Sequence, residues 1–266
     1  MTLPQPDVSF HWTSEVWGDA LRCHGLGRVA QHLFTSKQLA LPDDSAWRAA
    51  LASVGSTTDR LMRVKQVHGN AVRILKRGAV SADASRQRPD GDAIVSNQAG
   101  LALSVMVADC VPILVCDPAR GVAAAIHAGW RGTCARVART AIETMEREFG
   151  SEPADLIAAI GPSAGPDDYQ VGESLVEAFL DGGHDRGDVD RWFIRTGARP
   201  HLDLWSANRD QLAAAGVRHD NIHACGLSTV SHPDIFDSYR FAGERAGRMA
   251  AIIVVPTSAK AIGSPA

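Results

Sequence analysis

Three residues far apart in the chain carry side chains of the types that bind transition metals. They are His68 in Gln66-Val-His-Gly-Asn70, Cys110 in Ala108-Asp-Cys-Val-Pro112 and His127 in Ile126-His-Ala-Gly-Trp-Arg-Gly132. A thiolate and two imidazoles form a set that suits zinc, and three protein ligands leave a fourth position for water or substrate. An ion held in this way lowers the pKa of bound water toward about 7. We therefore predict that His68, Cys110 and His127 bind one metal ion, zinc, at an enzyme active site.

The spacing of Cys110 and His127 predicts that they face each other across a hairpin. Residues 117–120 have turn chemistry, and Cys110 lies 8.5 positions before the centre of this turn, while His127 lies 8.5 positions after it. Cross-strand partners have Cβ atoms about 5 Å apart, which allows them to share one ion. His68 follows an alternating stretch, residues 61–67, that predicts a strand. Sequence spacing alone does not bring His68 to the other two residues.

Other interpretations of these residues stay open. Taken alone, Cys110 is typical of a small buried hydrophobic residue, and a histidine beside glycine is typical of a satisfied polar group. Cys110 could also be a nucleophile activated by His127 in a metal-free hydrolase, with Asp109 or His68 orienting the pair. A third class is a nucleotide-binding module, because residues 25–30 match a GxGxxA pattern. That segment follows no buried strand and lies in no regular βαβ unit, which disfavours the nucleotide-binding interpretation.

The elements that position these residues are short apolar runs and amphipathic stretches. Buried strands are predicted at 101–107, 113–116 and 121–126. Thr133 is predicted to cap a helix with apolar residues at every fourth position, which Gly150 ends. Further helices are predicted at 172–180, 204–215 and 243–251, and loops at 81–91, 161–168 and 181–190. The irregular alternation of strands and helices favours an α+β fold, a mixed-sheet sandwich in a single domain, 1–266, with a frayed tail at 257–266.

Composition excludes several classes of function. The 266 residues carry a net charge of −3 with a pI near 6.4, and their basic residues are spread along the chain, so we expect no nucleic-acid partner. The start of the chain lacks the pattern of a signal peptide, and the longest apolar stretch is interrupted by Asp109 and Pro112, so we expect no membrane span. The other cysteines, Cys23, Cys116, Cys134 and Cys225, form no CxxC pair. An odd number of cysteines without an export signal predicts reduced thiols and a cytoplasmic protein.

Six short motifs, in this order, carry a resemblance to a known family. They are Gln66-Val-His-Gly69, Ala108-Asp-Cys-Val-Pro112, Ile126-His-Ala-Gly-Trp-Arg-Gly132, Ile160-Gly-Pro162, His201-Leu-Asp-Leu204 and Gly247-Arg-Met249. Together they resemble the YfiH family, also called the laccase-domain or polyphenol oxidase-like family, over Arg60 to Val255. Its members are regarded as zinc-dependent purine nucleoside phosphorylases. The resemblance implies a sandwich with α/β/β/α layers, and it places His68, Cys110 and His127 on the family's zinc ligands.

The resemblance also implies an activity and a set of substrates. Family members cleave adenosine, inosine and methylthioadenosine with phosphate and can deaminate adenosine. On this basis we assign Asp109 as an acid/base or orienting residue, and Arg131, Arg240 and Lys37 as candidates to hold phosphate. Gln66 and Tyr239 are candidates to bind the nucleoside. The family's other assigned role, editing of peptidoglycan precursors, suits a cysteine or metal hydrolase.

Copper is the alternative to zinc as the bound ion. With copper bound, the alternative function is that of a polyphenol oxidase. Ten histidines without an HxH pair do not supply a multicopper cluster, which disfavours the oxidase. Three segments depart from the family pattern, namely residues 33–37, 161–169 and 238–241, the last with Phe241 where the family has a second arginine. The sequence sets neither the preferred nucleoside nor the oligomeric state.

Overall fold

The computed structural model describes residues 2–41, 43–78, 88–195 and 197–256. Two six-stranded mixed sheets dominate the fold, with strands numbered here in chain order. The first sheet has the order β1 (Phe10–Glu15), β2 (Gly18–Cys23), β3 (His32–Thr35), β14 (Met249–Val254), β7 (Ala102–Val107) and β4 (Leu61–Arg63). The second has the order β13 (Ile222–Ala224), β10 (Ile157–Ile160), β8 (Val111–Asp117), β9 (Val122–Ala128), β6 (Ala93–Ser96) and β5 (Val72–Leu75). A small third sheet pairs β11 (Phe193–Ile194) with β12 (His201–Leu202).

The helices lie in the connections between strands. They are α1 (His24–Gly27), α2 (Asp44–Ala52), α3 (Trp130–Cys134), α4 (Val137–Phe149), α5 (Glu173–Asp181), α6 (Arg186–Trp192), α7 (Leu204–Ala214) and α8 (Tyr239–Ala242). Short 3₁₀ turns occupy Thr58–Arg60, Pro153–Asp155, His219–Asn221 and Gly243–Arg245. None of the helices in the described part of the chain is long and apolar enough to cross a membrane.

Three apolar clusters define four layers. The α2 helix packs on the outer face of the first sheet, the two sheets pack face to face, and α4, α5, α6 and α7 cover the outer face of the second sheet. On β8, Val111, Ile113 and Val115 face these helices, whereas Leu114 and Cys116 face the first sheet. This alternation follows from the two-residue period of a strand, and both faces of β8 are therefore buried. The α+β sandwich and its α/β/β/α layers are confirmed.

Several predicted elements are confirmed with small shifts of their ends. The strands predicted at 101–107, 113–116 and 121–126 are β7, β8 and β9, and the helices predicted at 172–180 and 204–215 are α5 and α7. Gly150 ends α4 in the left-handed conformation, with a φ of 67°. Most of the loop predicted at 81–91 lies outside the described residues.

Other element predictions were wrong. Residues 243–251 form a 3₁₀ turn and the start of β14, because β14 is central, is buried on both faces and so lacks the alternation that marks a half-buried strand. Thr133 lies inside α3, and α4 starts after Arg136, whose φ of 61° interrupts the helix. The loop predicted at 181–190 includes most of α6, and β4 stops at Arg63. The GxGxxA segment lies between antiparallel strands, β2 and β3, which contradicts the nucleotide-binding interpretation.

Candidate metal centre

The three predicted ligands meet at one end of the sandwich. Cys110 directly precedes β8, His127 lies near the end of β9, and His68 lies in the loop after β4. Their candidate ligand atoms all lie within 4.8 Å of one another. The two imidazole rings stand edge to face, with centroids 4.8 Å apart and an interplanar angle of 80°. His127 is buried and His68 is exposed, so the group has one protected side and one accessible side.

The hairpin register differs from the one predicted. His127 pairs with Pro112 and Ala128 pairs with Val111, so the predicted facing of Cys110 and His127 was wrong by two positions. The turn is centred one residue later than expected, because Asp117 pairs with Val122 and both belong to the strands. In this register the position opposite Cys110 belongs to Gly129.

Gly129 provides the space in which the ligands meet. A Cβ atom at this position would lie 2.8 Å from Cys110 Sγ and 3.2 Å from His68 Cδ2. Carbon and sulfur atoms at these distances overlap, so a side chain here would displace two of the three ligands. Because position 129 instead of position 127 lies opposite Cys110, a glycine stands across from the thiol.

Asp92, which directly precedes β6, holds two of the ligands in position. Its Oδ1 atom accepts hydrogen bonds from His127 Nδ1 at 2.8 Å and from the backbone N–H of His68 at 2.9 Å. Its Oδ2 atom accepts from the N–H of Gly69 at 2.6 Å and, more weakly, from that of Val67 at 3.4 Å. His68 has a φ of 61°, and this left-handed residue turns successive N–H groups toward one carboxylate. Sequence reasoning did not identify Asp92, because its contacts come from residues 23 to 35 positions away.

The electrostatics of this group favour a thiolate. Burial alone would raise the pKa of Cys110, but hydrogen bonds from His127 and His68 lower it to about 6. Burial acts to lower the pKa of His127, whereas its hydrogen bonds to Asp92 and Cys110 raise it. Asp92 itself is buried, and its hydrogen bonds hold its pKa below the ordinary value against the effect of burial. The thiolate is the form of cysteine that binds metals and attacks electrophiles.

The ligand set fits a metal ion of the zinc type. It combines one thiolate with two imidazoles. Because His127 Nδ1 hydrogen-bonds to Asp92, Nε2 is the ring nitrogen whose lone pair can bind the ion. Exposure of His68 leaves one side of the group open, as a catalytic site requires. In the described part of the chain, His68, Cys110 and His127 are the group of histidine, cysteine and acidic residues that could hold an ion.

A cavity of about 780 Å³ opens beside the three residues. Of the six other residues that the sequence singled out, Asp109, Arg131, Arg240, Gln66 and Tyr239 line this cavity. Lys37 does not line it, and its ammonium group donates to the carbonyl of Pro233 instead.

Asp109 and Gln66 are held by the protein itself. The carboxylate of Asp109 accepts hydrogen bonds from Thr229 Oγ1 and from the backbone N–H of Arg240, each at 2.6 Å. The amide of Gln66 pairs with both backbone groups of Met106, donating at 2.7 Å and accepting at 2.8 Å. These contacts favour a positioning role for Asp109 and Gln66, because their polar atoms already have partners.

The cavity also has a cationic and aromatic wall. The guanidinium of Arg131 lies 4.2 Å from the ring centre of Trp130, and that of Arg240 lies 5.0 Å from the ring centre of Tyr169. Burial, with a contribution from Cys110, raises the pKa of Tyr169 to about 12, so its hydroxyl stays protonated. Sequence reasoning missed Trp130, Tyr169 and Arg248 as lining residues. Trp130 could have been predicted to line the cavity, because it stands beside Arg131 in the Gly-Trp-Arg-Gly motif.

Comparisons with known proteins identify the family of this chain. A family model described as multi-copper polyphenol oxidoreductase laccase matches residues 44–256. A protein from Bacteroides thetaiotaomicron named purine nucleoside phosphorylase is 41% identical over 164 residues, which cover 62% of this chain and 60% of that protein. A protein named adenosine deaminase RL5, from an unknown prokaryotic organism, is 36% identical over 199 residues, covering 73% of this chain and 75% of that protein. The crystal structure of YlmD from Geobacillus stearothermophilus superposes with a TM-score of 0.81 at 27% identity, covering 92% of this chain and 98% of that one.

Proposed function

The chain belongs to the multi-copper polyphenol oxidoreductase laccase family and resembles a protein named purine nucleoside phosphorylase, and from these two findings we propose that it is a zinc-dependent purine nucleoside phosphorylase. The proposed substrates are adenosine, inosine and methylthioadenosine, with phosphate as the second substrate and adenosine deamination as a side activity. The observation that carries the proposal is the convergence of His68, Cys110 and His127 beside a cavity with a cationic, aromatic wall. A purine nucleoside offers a flat ring for the aromatic side chains, and phosphate offers an anion for the arginines.

The chain's own residues have defined tasks in this reaction. In phosphorolysis an oxygen of hydrogen phosphate forms a bond to C1′ of the ribose while the C1′–N9 bond breaks, and the proton that the phosphate gives up leaves with the purine. Arg131 and Arg240 hold the phosphate, and Asp109 orients Arg240 through the hydrogen bond to its backbone N–H. Tyr239, which is 53% exposed at the cavity, contacts the nucleoside. A bound zinc ion supplies Lewis-acid polarisation of an oxygen or nitrogen ligand.

Product analysis tests the proposal. Purified protein is incubated with adenosine, with and without phosphate, and adenine and inosine are separated by chromatography while bound metal is measured. We expect phosphate-dependent release of adenine and slower formation of inosine. The variant Cys110→Ala should lose both metal and adenine release, whereas Cys134→Ala, a cysteine outside the cavity, should keep both. Full metal content and full adenine release in Cys110→Ala would overturn the assignment.

The phosphate assignment has its own test. The variant Arg240→Gln removes a charge-assisted hydrogen bond of about 1.5–3 kcal/mol, which corresponds to a rise in KM for phosphate of roughly 10- to 150-fold. The KM for adenosine should change less, because the guanidinium is assigned to the anion. An unchanged KM for phosphate would remove Arg240 from the phosphate site.

A cysteine hydrolase that edits peptidoglycan precursors is the second candidate. One specific observation favours it, namely the lowered pKa of Cys110 between two imidazoles, an arrangement that also activates thiol nucleophiles. Metal analysis distinguishes the two functions, because a stoichiometric zinc ion that resists dialysis contradicts the thiol mechanism. Rapid inactivation of the metal-free protein by iodoacetamide would support the thiol mechanism. Copper in place of zinc, with oxidation of a polyphenol, would support the oxidase instead.

A further inference from the structure

A second cavity, of about 410 Å³, lies at the N-terminal hairpin. It is lined by His11 on β1, by Arg22 and Cys23 on β2, by α1 and the turn that follows it, and by His32 on β3. In the strand register, His32 lies opposite Ile253, whereas Met249, four residues away on β14, lies opposite Val107 at the metal-centre cavity. Four residues of strand span roughly 13 Å, so the two cavities lie toward opposite ends of the first sheet.

The basic side chains at this second cavity lack a full set of counter-charges. His11 and Arg22 are direct cross-strand partners, and like charges at such positions repel each other. The imidazoles of His11 and His24 stack with centroids 4.3 Å apart and an interplanar angle of 20°. Arg28 lines the same cavity and forms no ion pair within the described residues. No acidic residue is among the described residues that line it.

Two of the basic side chains, Arg22 and His32, already have polar partners within the protein, so the remaining basic side chains are the ones available to a ligand. Arg22 pairs with Glu15 at 2.9 Å and also donates to the carbonyls of His32 and Ser53. His32 accepts from the N–H of Cys23 at 2.9 Å, and burial lowers its pKa to about 4, so it stays neutral. His11, His24 and Arg28 remain to meet a ligand.

His11 offers one ring nitrogen to this cavity. Its Nδ1 atom is buried and has no hydrogen-bond partner within the described residues. Burial, followed by the charges of His24 and Arg22, lowers the pKa of this imidazole. Because solvent does not reach this nitrogen, a ligand in the cavity would contact the other ring nitrogen, Nε2, instead.

We propose that this cavity binds a phosphate group, through His11, His24 and Arg28. Arginine and protonated imidazoles donate charge-assisted hydrogen bonds to phosphate oxygens, and the anion would favour the protonated form of His11. The volume admits inorganic phosphate as well as a larger phosphomonoester. This site is separate from the phosphate subsite of the proposed reaction and does not depend on the metal centre.

Imidazole NMR of the full chain tests the proposal. Inorganic phosphate, adenosine monophosphate and sodium chloride at matched ionic strength are titrated separately while the His11 and His24 resonances are followed. We expect phosphate to raise the pKa of His11 by about one unit, since an adjacent anion favours the protonated ring. A stronger response to adenosine monophosphate identifies a phosphomonoester as the ligand, and an equal response identifies free phosphate.

Variants separate this site from the metal-centre cavity. Arg28→Gln and His24→Asn replace exposed side chains and should weaken the phosphate response of His11 several-fold. His219→Asn, an exposed histidine outside both cavities, should leave it unchanged, and so should Cys110→Ala. The proposal is overturned if phosphate leaves the His11 and His24 resonances unmoved, if chloride moves them equally, or if Arg28→Gln has no effect.

Discussion

Substitution of Asp92 by asparagine tests whether one carboxylate presets two metal ligands. The change keeps the size of the side chain and removes one acceptor oxygen. Asp92 accepts from His127 Nδ1 and the His68 N–H through Oδ1, and from the Gly69 N–H through Oδ2. If the new NH₂ group takes the place of Oδ2, it faces the Gly69 N–H, and if it takes the place of Oδ1, it faces the other two donors. Either orientation leaves at least one buried donor without an acceptor.

The size of the effect follows from these contacts. A buried donor that loses its partner costs about 1–3 kcal/mol. Loss of a carboxylate that orients a metal-binding histidine typically weakens metal affinity by about 10- to 100-fold, which is about 1.4–2.7 kcal/mol. The His127 tautomer adds to the loss, because a ring whose Nδ1 accepts from the amide carries its proton on Nε2, the other candidate ligand atom.

The assay measures zinc affinity by competition with a chelator, on protein shown to be folded by circular dichroism. The matched control is Asp90→Asn, because Asp90 lies two residues away and forms an exposed ion pair with Lys65 at 3.5 Å. The visible spectrum of the cobalt-substituted protein reports ligand geometry and should change in Asp92→Asn but not in the control. A folded Asp92→Asn protein that binds zinc as tightly as the unsubstituted chain, with the same cobalt spectrum, would refute the reasoning.

Two further predictions concern space and charge. Gly129→Ala should lose bound metal while keeping its circular dichroism spectrum, because the new Cβ would lie 2.8 Å from Cys110 Sγ. Unchanged metal content would contradict this prediction. The control for steric contact is Gly197→Ala, where the new Cβ meets no atom within 4 Å. Burial lowers the pKa of His32 from 6.5 to about 4, so its neutral ring stabilises the fold in full above pH 6.5 and loses this contribution as the pH falls toward 4. The loss amounts to about 3 kcal/mol, and urea unfolding across this pH range should show it in the unsubstituted protein but not in His32→Gln.

Much of the fold could be predicted from local patterns. The strands around the metal centre are short apolar runs bounded by turn residues, and α4, α5 and α7 have the apolar spacing of helices that cover a sheet. Patterns failed where burial on both faces removes alternation, as in β14, and where a single left-handed residue divides a helix, as Arg136 does between α3 and α4.

The candidate site was predictable only in part, because strand register depends on the exact position of the turn. Cys110 and His127 belong to one hairpin, so spacing brought them close, but a one-residue error in the turn shifted the register by two positions. Lys37 was assigned from charge type and position in the sequence, and the fold turns its ammonium group to the Pro233 carbonyl instead of the cavity.

The sequence by itself determined the donor types, because a thiol and two imidazoles beside glycines restrict the chemistry whatever the fold. It also determined the alternation that buries both faces of β8. Only the tertiary structure decided which residues support the donors. Asp92, Gly129 and Tyr169 act through contacts between segments distant in sequence or through exact strand register, neither of which a local pattern contains. The second cavity has the same origin, since His11, His24 and Arg28 form one cationic group only after the N-terminal hairpin and α1 have folded together.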